Sequence, residues 1–140
     1  MKRMTAATIA AAVLTMLAAP ATQAQERETA AEMTEGEAKL AKLLEGRVAG
    51  EPESCIRTFP SRSFTIIDET ALVYRQGDTL WVNTTRNPES IDDNEILVID
   101  RFSATQLCRT DQITLRDRYS GFFGGVLFLG DFVPYREVEG

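Results

Sequence analysis

Carboxylates are the side chains of this sequence best suited to chemistry. Asp92, Asp93, Glu95 and Asp100 crowd the stretch IDDNEILVID, and Asp68 and Glu69 stand together further upstream. Two carboxyl groups facing each other across a cleft can hydrolyse a glycosidic bond, one as acid and the other as base or nucleophile. Oxygen-rich side chains can also gather calcium, which takes roughly six to eight oxygen ligands. Yet Asp92-Asp93-Asn94-Glu95 lacks the glycine and the ligand spacing of a helix–loop–helix calcium site. Acidic loops on an acidic protein are usually solvated and nothing more. The residues therefore assign no catalytic group, no metal ligand and no cofactor. They leave Asp92, Asp93 and Glu95 as a candidate binding surface.

What the chain lacks narrows the field. It has no histidine, which removes imidazole acid–base chemistry, Ser–His and Cys–His nucleophiles, and histidine metal sites. From Cys55 onward all nine basic residues are arginine, so no lysine is there to form a Schiff base. No G-x-S-x-G elbow, P-loop or dinucleotide fingerprint is present. Arg57, Arg62, Arg101, Arg109, Arg116 and Arg118 could line an anion pocket, because guanidinium grips carboxylates and phosphates through two nitrogens. On a strand, however, Arg116 and Arg118 would share one face, and solvent-facing arginine paired with aspartate across strands is the commoner outcome.

The glycine-rich stretch SGFFGGVLFLGDF, Ser120 to Phe132, is too short to span a bilayer, and no helix start follows it to aim amides at a phosphate. Glycines among strand residues mark a bulge or a close backbone contact. Phe122 and Phe123 are the discriminating pair. Buried, they belong to a closing strand; exposed, they mark a binding surface.

These residues need a scaffold, and the stretch SFTIIDETALVYRQGDTLWVN, Ser63 to Asn83, suggests one. It alternates, turns at Asp68-Glu69-Thr70, alternates, turns at Gln76-Gly77-Asp78 and alternates again, the pattern of an antiparallel meander. A polar loop, Thr84 to Glu95, is broken by Asn87-Pro88, and ILVIDRF, QLC, QITLRD and GGVLFLGDFVPY follow. The reading is a mainly β domain over residues 55–140, a small antiparallel barrel or sandwich of six to seven strands. Residues 25–54 differ in having no aromatic side chain. Leu40, Leu43 and Leu44 have helical spacing, and Gly46 can supply a left-handed cap. Gly50, Pro52 and Ser54 then read as a linker or turn. The short N-terminal helix could dock on the domain, bind a partner or merely tether it.

Residues 1–24 carry the three parts of a secretory signal: Lys2 and Arg3, the apolar run from Ala7 to Ala19, and small residues before a cleavage point after Ala24. Cleavage there leaves 116 residues with no integral membrane segment. Losing Lys2 and Arg3 leaves 13 basic against 21 acidic side chains, a net charge of −8. That charge disfavours nucleic acid and anionic lipid as partners. Cys55 and Cys108 fit a structural disulfide in an oxidising compartment, the periplasm or the exterior.

The segments GRVAGEPESCI (Gly46 to Ile56), SFTIIDETALVYR (Ser63 to Arg75), LWVN (Leu80 to Asn83), QLCRTDQI (Gln106 to Ile113) and LGDFVPY (Leu129 to Tyr135) resemble a family of small exported Gram-negative bacterial proteins of unknown function. Similar members carry further cysteines in the central loop and near the last strand, and this chain has none there. The resemblance implies export and a disulfide, and brings no functional residues. The expectation is a non-enzymatic binding or accessory module of the cell envelope, whose partner is an envelope protein or a small ligand. The alternative is a carboxylate-dependent hydrolase acting on envelope glycan.

Overall fold

In a computed structural model that describes residues 33–59 and 64–138, the chain begins with α1 (Glu35–Leu43) and continues almost entirely as strands. These are β1 (Arg47–Ala49), β2 (Cys55–Arg57), β3 (Phe64–Ile67), β4 (Ala71–Gln76), β5 (Thr79–Asn83), β6 (Glu95–Asp100), β7 (Gln106–Cys108), β8 (Gln112–Asp117), β9 (Phe123–Phe128) and β10 (Phe132–Glu137). A 3-10 turn at Pro88–Ser90 interrupts the central loop. The expected signal segment and Arg62 lie outside the described residues.

All pairings are antiparallel. A five-stranded sheet has the order β1-β10-β5-β4-β3, a three-stranded sheet the order β6-β8-β9, and β2 and β7 form a separate ribbon. The expected meander is β3-β4-β5. Its tight turns use Gly77 at φ 58° and, less usually, Glu69 at φ 47°. No barrel closes, and the sheets stack as a sandwich.

Alternation explains the layers. Leu72 and Tyr74 of β4, Trp81 of β5 and Phe132 of β10 project from one face of the large sheet. They meet Ile113, Leu115 and Leu127 of the small sheet, with Ile56 and Leu107 from the ribbon. The opposite face carries Ile67, Ala71, Val73, Leu80 and Val82, and Leu40, Leu43 and Leu44 of α1 lie over it. This is why Ala71 to Tyr74 are buried without alternation: both faces of β4 are covered. Each large apolar side chain so buried stabilises the fold by about 1.5–3 kcal/mol.

The helix is therefore a layer of the domain and not a tether, and the compact unit begins at Met33 although the composition changes at Cys55. Thr34 and Glu37 close a reciprocal capping box at its start. Gly36 sits in the first turn because the helix rides close over the β3–β4 turn. A Cβ there would collide with the Thr70 hydroxyl and stand 2.5 Å from the Asp68 carbonyl oxygen. Gly36→Ala should thus lower stability by about 1–3 kcal/mol despite better helix propensity, read as a fall in urea midpoint.

Two further sequence expectations are corrected. The stretch around Gly50 and Pro52 is no free linker, since Arg47–Ala49 pair with Tyr135–Glu137 and Glu53 bridges Phe132. GGVLFLGDFVPY is not one strand region. It breaks at Gly130, whose N–H and C=O are both taken by the buried Asn83 amide at 3.0 and 2.8 Å, and its halves enter different sheets. With these additions there are ten strands among the described residues, three of them only three residues long.

Cys55 and Cys108 face each other directly across the β2–β7 ribbon and are joined, S–S 2.05 Å. Asp111 supports this corner. Its buried carboxylate accepts hydrogen bonds from Cys108 N at 2.7 Å and Phe102 N at 3.3 Å.

Candidate binding face and acidic cleft

Alternation also decides what the three-stranded sheet shows to solvent. Leu97 and Ile99 of β6, Ile113 and Leu115 of β8, and Leu127 of β9 turn inward. The opposite face carries Ile96, Val98 and Asp100 from β6, Gln112, Thr114 and Arg116 from β8, and Phe123, Val126 and Phe128 from β9. Strand register orders them in rows: Ile96–Arg116–Phe123, Val98–Thr114–Val126 and Asp100–Gln112–Phe128. Nothing among the described residues covers this face.

Both phenylalanines singled out from the sequence belong to the exposed class. Phe122 is 75 % and Phe123 65 % accessible, and Phe128 on the same face is 50 % accessible. The glycines beside them make the expected bulge: the register shifts between Leu115 and Arg116, leaving Gly124 without a partner. The β8–β9 turn is held by Asp117, whose carboxylate accepts from Ser120 N, Ser120 Oγ and Tyr119 N. These bonds hold its pKa below the ordinary aspartate value, the Ser120 side-chain bond most of all.

The free edge of β9 is occupied by the preceding loop. Arg86 N donates to Phe128 O at 2.8 Å, Asn87 Nδ2 donates to Val126 O at 2.9 Å, and Phe128 N donates to Asn87 Oδ1 at 3.1 Å. One asparagine amide thus stands in for a strand and blunts the edge. The β9 border of the face is closed along Val126–Phe128.

The carboxylates gather at one end of the sandwich. Glu69 N donates to Ile91 O at 2.9 Å, tying the β3–β4 turn to the central loop. Asp68 thereby joins Asp92 and Asp93, with carboxylate oxygens within 4.8 Å of one another, and Glu69, Glu89 and Glu95 line the same open cleft. Asp100 is at the far end of β6, beside Phe102 and Gln112. Asp68, Glu69, Asp92, Asp93 and Asp100 are exposed, and only Glu95 is partly buried. The Asp68–Asp92–Asp93 trio brings three exposed carboxylates together.

Glu95 differs from its neighbours. Burial raises its pKa, and the charges of Asp92 and Asp117 raise it further. Ionised Glu95 therefore opposes folding: stability falls as pH rises from its unfolded value through its raised folded value. Glu95→Gln should increase the melting temperature at neutral pH, and the gain should vanish below about pH 4, where glutamate is protonated in both states. Asp117→Asn has the opposite sign. It should lose stability at neutral pH and converge with the parent protein as pH falls through the lowered Asp117 value. Thermal melts across pH check both.

Among the described residues, Arg101, Arg109, Arg116 and Arg118 are engaged at separate places, and Arg86 joins Arg109 along one cleft with Thr110 and Phe128. Arg116 donates to Gly121 O and Arg118 to Asn94 O and Asp93 O, satisfying turn carbonyls that no ladder reaches, instead of pairing with aspartate across strands. Arg109 pairs with Asp131 at 3.1 Å and Arg47 with Glu137 at 2.6 Å. Arg101 donates to the Thr58 hydroxyl.

Of the apolar residues exposed here, the sequence singles out Phe122 and Phe123 but not Phe128, Ile96 or Val98. The available signal was the run ILVI, apolar at both parities, in a strand that only one layer covers. No helix among the described residues is long and apolar enough to cross a membrane. Compared with protein-family models, curated proteins and solved structures, the chain matches none.

Proposed function

We propose that this protein is an exported, non-enzymatic binding module of the cell envelope, and that its working surface is the outer face of β6, β8 and β9. One observation carries the reading: the large sheet is covered on both faces, whereas the small sheet leaves Ile96, Val98, Phe123 and Phe128 to solvent. Contiguous apolar surface of this kind is characteristic of association sites. The disulfide and the secretory-type pattern of residues 1–24 support the compartment.

The experiment is site-specific photo-crosslinking in cells, with a photoreactive phenylalanine analogue at position 123 and, as control, at the exposed Arg75 position. The reading expects discrete crosslinked products from position 123 and none from position 75. Equal, diffuse labelling from both would refute it.

A second reading, a carboxylate-dependent glycan hydrolase, is favoured by one observation, the raised pKa of Glu95 beside the acidic cleft. A general acid needs such a shift. It predicts release of reducing sugars from envelope glycan that Glu95→Gln abolishes. Binding is preferred because the other carboxylates of the cleft are exposed, so no second buried carboxyl group faces Glu95 among the described residues.

A further inference from the structure

Resting on that reading of the exposed face, we infer that its occupant is a second copy of this chain, packed sheet against sheet about a two-fold axis. Area is the first argument. Phe122, Phe123, Phe128, Ile96 and Val98, with Phe102 at the end of β6, are all classed as exposed. At about 200 Å² for a whole aromatic side chain they present on the order of 600 Å². That is the lower end of what each partner contributes to a stable interface, about 600–1,000 Å².

Charge and symmetry are the second argument. A two-fold dimer must bring the face against itself, so the residue pattern has to be self-complementary. The face carries one cation, Arg116, in one outer row and one anion, Asp100, in the other, with the uncharged Val98–Thr114–Val126 row between. An axis running along the strands would set Arg116 on Arg116 of the second copy and Asp100 on Phe128. An axis running across the strands reverses the rows. Val98 then meets Val98, Phe123 meets Phe128, Arg116 meets Gln112 and Ile96 meets Asp100, which brings Asp100 diagonally beside the Arg116 of the second copy. This second arrangement has no like charges opposed and covers the aromatic residues. Either axis keeps the strands within the about 30° of aligned sheet packing, about 10 Å apart, so the opposed arginines decide between them.

The outer face of the small sheet is then the buried centre of a dimer, and β9, whose edge the Asn87 amide blocks, cannot instead extend the sheet by strand addition. Phe122 and Tyr119, in the β8–β9 turn, fall at its rim.

The test is sedimentation velocity of the purified protein over a hundredfold concentration range, with variants checked for folding by circular dichroism. The expected result is a concentration-dependent dimer. Phe128→Arg should weaken it at least about 100-fold, and Val48→Asp, at an exposed apolar position on β1, should leave it unchanged. The axis is tested by charge reversal. Arg116→Asp and Asp100→Arg should each weaken dimerisation about 10-fold, and the double variant should recover most of the loss. Should Phe128→Arg fail to fold, Val98→Cys with a short bismaleimide must give a covalent dimer that Val48→Cys does not. A strictly monomeric protein, or a dimer indifferent to Phe128→Arg, overturns the inference. A monomer that still crosslinks in cells from position 123 overturns the second copy and keeps the binding face, whereas a monomer without such crosslinks removes both.

Discussion

Replacing Phe132 by alanine is expected to cost about 3–5 kcal/mol of unfolding free energy, the range for emptying a fully buried aromatic site. Phe132 opens β10, is completely buried, and packs in the cluster that joins the large sheet to the small one. Its backbone is also exchanged with Glu53, each N–H donating to the other carbonyl at 2.8 Å, so the surroundings are fixed and collapse poorly around a void. Net stabilities of small domains are about 5–15 kcal/mol, which makes this single change a large fraction of the total. Urea denaturation of Phe132→Ala measures it directly. A loss under about 1 kcal/mol would show that the two sheets are not packed through this side chain.

The disulfide is expected to matter nearly as much. Cys55 and Cys108 are 53 positions apart, and closing a loop of that length restricts the unfolded chain by about 4 kcal/mol in the chain-entropy model. Loss of the bond also frees a ribbon of only three residues per strand, which no other sheet strand extends. The double variant Cys55→Ser/Cys108→Ser should therefore lose about 2–5 kcal/mol, and the parent protein under reducing conditions should lose a similar amount. Agreement between the two separates the effect of the cross-link from that of the new hydroxyls. Unchanged melting in both would mean that the ribbon is held by Asp111 and the neighbouring core alone.

Features set by neighbouring residues were legible in the sequence. The two turns of the meander follow from Asp68-Glu69-Thr70 and Gln76-Gly77-Asp78; Gly46, at φ 73°, makes the turn out of the helix, two residues past its cap at Leu44. Features set by distant partners were not. The stretch Arg47–Ala49 is too short to announce a strand, and becomes one only by pairing with Tyr135–Glu137. GGVLFLGDFVPY looks continuous because its break is enforced by Asn83, 47 positions away. The candidate site divides in the same way. Asp92, Asp93 and Glu95 advertised themselves as a run, but Asp68 joins them only through the contact between Glu69 and Ile91. Phe123 stood out beside glycine. Phe128 did not, and Ile96 and Val98 showed only as a run apolar at both parities, which does not say which side a layer will cover.

The central claim is that the outer face of β6, β8 and β9 is occupied in the cell. Carbene footprinting of the protein, in intact cells and then purified at high dilution, tests this most directly. Labelling of Phe123, Phe128 and Val98 is expected to fall several-fold in cells, while the exposed Val48 and Val138, at β1 and the end of β10 in the large sheet, label equally in both settings. Equal labelling of all five residues in cells and in dilute solution would contradict it.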